Sequence, residues 1–77
     1  MGRSSPVSAV LAIDLGLLVS YDDGVVERHC KEKVYSHCVI PKAKITGLAS
    51  HGEKWYAVDN QGKVYDITTS SKAEVLV

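Results

Sequence analysis

Seventy-seven residues with zero formal net charge, 45% of them hydrophobic and 23% charged, make one domain at most. The balanced charge excludes an overall field that draws the chain to nucleic acid or anionic lipid, and the apolar share excludes a disordered chain. A domain this short buries only about 60% of its unfolded surface, so its stability is modest.

Taken in order, residues 1–6 are polar and expected to be disordered, and a single all-β domain is expected over 7–77. Strands are predicted at 7–13, 17–21, 25–30 and 34–40. Between them lie Asp14-Leu15-Gly16, the hairpin signal Asp22-Asp23-Gly24 and the charged Lys31-Glu32-Lys33. Pro41 ends the fourth because it lacks the donor that a central ladder needs. The second half predicts strands at 45–49, 55–58, 63–67 and 73–77. Its turns are 50–53 and 59–62, with a polar connection over 68–72. Val, Ile and the five aromatics Tyr21, Tyr35, Trp55, Tyr56 and Tyr65 suit pleated, half-buried surfaces. No window sustains a helical period.

At a spacing of 38 residues, which lays Val7 on Ile45, the halves correspond without a gap. Val10 falls on Leu48, Leu17-Leu18-Val19 on Trp55-Tyr56-Ala57, Gly24 on Gly62, Val26 on Val64 and Cys38 on Leu76. The chain therefore reads as two four-stranded antiparallel meanders, 7–40 and 45–77. Such meanders could form a small sandwich or barrel, or half of a larger ring that self-associates. The stretch Ile45-Thr46-Gly47-Leu48, Gly52, Trp55 and Asn60-Gln61-Gly62-Lys63-Val64-Tyr65 resembles one β-propeller repeat of the two-component-regulator or quinoprotein type. Fainter echoes occur at Val10, Gly16, Leu17-Leu18-Val19, Asp23-Gly24 and Val26. The closing Trp-Asp pair of the WD type is missing; Tyr65-Asp66 stands in its place. The resemblance implies two blades, whereas a ring typically takes four to eight. The family's activities do not transfer, because propellers host both binding and catalysis.

Two His-Cys pairs, His29-Cys30 and His37-Cys38, are ligand types that suit zinc. Neighbours on a strand point to opposite faces, so four ligands do not converge; His51 or a second chain would have to complete a two-ligand site. No metal and no cofactor is expected. Cys38 is read as a small buried hydrophobe, and both cysteines as free thiols. Two cysteines are too few for a small secreted framework, which favours a cytoplasmic location. The apolar run 7–19 is too short to span a bilayer and is broken by Asp14, which also spoils a secretion signal. No catalytic motif appears, so an enzyme is not expected.

Meanders with apolar residues on both faces need cover, and exposed edges invite pairing. The expected role is therefore non-catalytic protein–protein interaction or self-association. Trp55, Tyr56, Tyr35, Arg28 and Lys33 are its expected contact residues. The alternative is a small β-barrel that binds single-stranded nucleic acid through the basic Arg28, Lys31, Lys33, Lys42 and Lys44 and the aromatic Tyr35, Trp55 and Tyr56.

Overall fold

Alternating apolar residues, punctuated by Gly- and Asp-rich turns, fold into eight antiparallel strands in the computed structural model, which describes residues 5–14 and 16–77. The strands are β1 (Val7–Ile13), β2 (Gly16–Tyr21), β3 (Val25–Cys30), β4 (Lys33–Val39), β5 (Ile45–His51), β6 (Lys54–Asp59), β7 (Val64–Asp66) and β8 (Glu74–Val75). They form two sheets, each a sequential meander, β1-β2-β3-β4 and β5-β6-β7-β8. No strand of one sheet pairs with a strand of the other among the described residues, so the fold is two packed sheets and not a closed barrel.

The predicted bounds hold closely at β1 and β3. Elsewhere the bounds shift by one or two residues, and β5 runs on to His51, next to Gly52 at φ +61°. The last strand is shorter, two residues in place of 73–77. Of the expected disordered start, residues 1–4 lie outside the described residues, as does Leu15 of the first turn. Pro6 is held in place: its carbonyl accepts a hydrogen bond from the Asp22 N–H at 3.1 Å.

The two sheets share their register. Val10 opposes Val19 and Leu11 opposes Leu18, while Leu48 opposes Ala57 and Ala49 opposes Tyr56. The β1–β2 ladder slips between Val7 and Ala9, and the β5–β6 ladder slips at the matching place, between Ile45 and Gly47. Even the closing bonds recur, with Gly24 N–H on the Tyr21 carbonyl and Gly62 N–H on the Asp59 carbonyl, at 3.0 and 3.1 Å.

Shared register allows the faces to be matched. Let the front of each sheet be the face that carries Leu18 or its counterpart Tyr56, and the back the face that carries Val19 or Ala57. The core joins Leu18, Val26 and Cys38, all on the front of the first sheet, to Ala57, Tyr65 and Ile67, on the back side of the second. Leu11, Leu48 and Trp55 pack around them. The sheets thus stack front to back, with β5 lying against β1 and β2. Ile40 and Ala43 of the linker and Ile45 close the core at one end. Leu18, Val26, Ile45 and Ile67 are fully buried, each stabilising the fold by roughly 1.5–3 kcal/mol.

Candidate interaction surfaces

His37 ties the outer margin of the first sheet to the second. A bulge in the β3–β4 ladder, where Val26 opposes Cys38 but Glu27 opposes Ser36, leaves His37 without a cross-strand partner. The freed residue is buried. Its Nε2 donates to the Ile67 carbonyl at 2.5 Å, and its ring lies 5.4 Å from that of Trp55. Its own carbonyl accepts from the Ser71 N–H and from the Ser70 hydroxyl. His37 is thus a structural clasp. Sequence reading missed this, because nothing in the pattern around Ser36-His37-Cys38 announces a bulge.

The expected contact residues divide between faces. Arg28 and Tyr35 oppose each other on the front of the first sheet, with the guanidinium 5.0 Å from the centre of the Tyr35 ring; this distance permits a cation–π contact. Lys33 is exposed one row further along the same face, opposite Cys30. The Arg28 Nε is buried and lacks a hydrogen-bond partner among the described residues. Trp55 and Tyr56 point to opposite faces of β6, as neighbours on a strand must. Trp55 turns into the core, while Tyr56 lies half-buried on the front of the second sheet. The structure brings Arg28, Tyr35 and Lys33 together and separates them from Tyr56.

A bare apolar area lies on the back of the first sheet. Val10 and Val34 are each 55% exposed and Leu17 is 41% exposed. They surround Val19, which is buried in the row Val10–Val19–Glu27. Val7 and Val39 extend the area toward the linker end. Polar groups cross it: Tyr21 donates its hydroxyl to Glu27 Oε1 at 2.8 Å, and His29 Nε2 lies 3.1 Å from the same oxygen. Val10 belongs to the apolar run 7–13, which does not say which of its side chains is left bare.

The remaining chemistry is quiet. Burial pushes the Cys38 thiol up to about 11, the opposite of an activated nucleophile, and both cysteines are free. His29 lies on the back of the first sheet, while Cys38 lies on its front. No group of three or more His, Cys, Asp or Glu side chains is placed to hold a metal among the described residues. A cleft of about 400 Å³ opens between the end of β1 and the β5–β6 turn, lined in part by Asp14, Ser50, Glu53 and Trp55. No helix among the described residues is long and apolar enough to cross a membrane. Comparison with family models, with curated proteins and with solved structures finds no match to this chain.

Proposed function

We propose that this chain is a non-catalytic protein-binding module whose main contact surface is the back of its first sheet. The observation that carries this reading is the apolar field formed by Val10, Leu17 and Val34, bare on a sheet whose other face is packed. Contiguous apolar patches on small soluble domains mark interaction sites. The matched registers and front-to-back stacking of the sheets support viewing them as two blade-like units, and such units present flat faces for stacking. Of the groups that resemble nucleophile or base, Cys38 is buried as a thiol and His37 is bonded to Ile67.

The nucleic-acid reading has less behind it. The closed barrel on which it rested is not formed, and Arg28 already lies over Tyr35, the aromatic nearest the basic side chains.

Photocrosslinking in cells tests the proposal, with p-benzoylphenylalanine replacing Val10 in one variant and Lys63, on the exposed 59–62 turn side, in another. The expected result is protease-sensitive adducts from position 10 and few from position 63. Nuclease-sensitive adducts, or none from position 10, would overturn it.

A further inference from the structure

The two sheets are the same unit used twice, yet matching positions differ sharply in exposure. Cys38 is 3% exposed on the front of the first sheet, whereas its counterpart Leu76 is 51% exposed. Leu18 and Val26 are fully buried, whereas Tyr56 and Val64 are only half-buried. On the backs the difference runs the other way. Ala57 and Tyr65 of the second sheet are buried, and Leu48 and Trp55 pack against the core. Of their counterparts on the first sheet, Val10 and Leu17 are exposed and Glu27 is half-buried, while Val19, the counterpart of Ala57, is itself buried. Each kind of face is therefore packed once and left more open once, and the more open pair is the same front-and-back pair that forms the core within the chain.

From this we infer that the occupant of the bare faces is a second copy of the chain. The front of the second sheet (Ala49, Tyr56, Val64, Leu76) stacks on the back of the first sheet of the next copy (Val10, Leu17, Val19, Val34). This inference rests on the protein-binding reading above and names the partner. The new junction repeats the geometry of the existing one, including the offset ladders at Ser8 and Thr46. It joins different surfaces on the two copies, so it is head-to-tail and leaves one face free at each end; such contacts close into rings or extend into filaments.

The new junction is also weaker than the internal one. The counterpart of His37 is Val75, which pairs regularly with Tyr65 and has no bulge, so the clasp onto Ile67 has no equivalent. The bare back carries Glu27 and His29 where the buried back carries Tyr65 and Ile67. The association is thus concentration-dependent.

Sedimentation velocity over a range of concentrations up to about 1 mM tests this. The wild-type mass is expected to rise well above the monomer's 8.3 kDa. Two surface-charged variants then separate head-to-tail from symmetric pairing: Val10→Lys with Val34→Lys on the back, and Ala49→Lys with Leu76→Lys on the front. All four positions are exposed, so folding should survive, as checked by circular dichroism. Each variant alone is expected to be monomeric, and an equimolar mixture to give a dimer and nothing larger, because one intact front meets one intact back. A wild-type chain that stays monomeric at every concentration overturns the inference. So does a front variant that still dimerises by itself, which would mean back-to-back pairing. The photocrosslinking experiment keeps the two ideas apart. Adducts from position 10 to other proteins, with no adduct of two copies, would sink self-association and leave the binding reading standing.

Discussion

The Tyr65 hydroxyl donates to the Asp59 carboxylate at 2.9 Å, and the matching positions of the first sheet hold the same bond with its partners exchanged. There Tyr21 occupies the place of Asp59, and Glu27 that of Tyr65. An acid and a phenol set diagonally across two strands can swap ends and keep the bond, so this pair is a feature of the unit rather than of either half.

Asp59 accepts two further bonds, from the backbone N–H groups of Gln61 and Lys63, both at 2.9 Å. Burial pushes its carboxyl up. The bonds from Lys63, Tyr65 and Gln61, with the Lys63 charge, outweigh this and hold it below its ordinary value of 3.8. A carboxyl with a depressed folded pKa contributes stability above its unfolded pKa and loses it as pH falls. Urea midpoints should therefore drop below about pH 4, and less so in Asp59→Asn. Tyr65→Phe removes one of the three bonds and should cost about 1 kcal/mol. Asp59→Ala, which removes all three bonds, should cost more than Tyr65→Phe at pH 7. Equal midpoints for the two variants would show that the turn bonds add nothing.

His37→Ala removes the clasp and leaves the Ile67 carbonyl unmatched in a buried site. The expected loss is roughly 1–3 kcal/mol, with a change in Trp55 fluorescence because the imidazole leaves its neighbourhood. His29→Ala, on the exposed back, should cost far less. Thermal melts of the two variants decide between a clasp and an ordinary surface histidine.

Cys38 provides an alkaline limit. Its thiol is held neutral by burial, so the folded pKa stands near 11 against an ordinary 9.0. Stability linked to a raised pKa is present below the unfolded value and lost as pH rises toward the folded one. Midpoints should fall between pH 9 and 11, and Cys38→Ala should flatten that fall. At pH 8 a thiol reagent should modify Cys30 well before Cys38; equal rates would mean that Cys38 is accessible.

Gly24 and Gly62 occupy equivalent turns with φ of +88° and +82°, but their surroundings differ. A Cβ at Gly24 would stand 2.1 Å from the Ile40 carbonyl oxygen, whereas one at Gly62 would meet nothing within 4 Å. Gly62→Ala should therefore cost only the backbone penalty of about 1–2 kcal/mol. Gly24→Ala must also displace the linker, whose Ile40 N–H bonds the Gly24 carbonyl at 2.8 Å. Comparable melting temperatures for the two variants would contradict this difference.

Strands, turns and the repeat were legible because they are local. The run 25–30 and the Asp-Gly turn before it need only period-2 patterning and a glycine with positive φ. Which face of each sheet is covered is not local. Leu18 and Tyr56 occupy the same position in the pattern, and nothing in the sequence says that one is sealed while the other is half-bare. The same limit applies to the contact residues. Trp55 reads as an anchor but faces inward onto His37, while Val10, not among the expected contact residues, lies bare on the open back of the first sheet. The division of Trp55 and Tyr56 between faces was foreseeable, because it follows from strand geometry alone.

The bulge at His37 also bears on whether the protein clumps. An outer strand offers a row of free amide groups on which stray chains can build fibrils. On β4 the kink spends one of those carbonyls on Ser70 and Ser71, and at the other end β8 is only two residues long. Sideways accretion therefore finds less template along β4 and β8 than along β1 and β5, the seven-residue outer strands at the opposite margins.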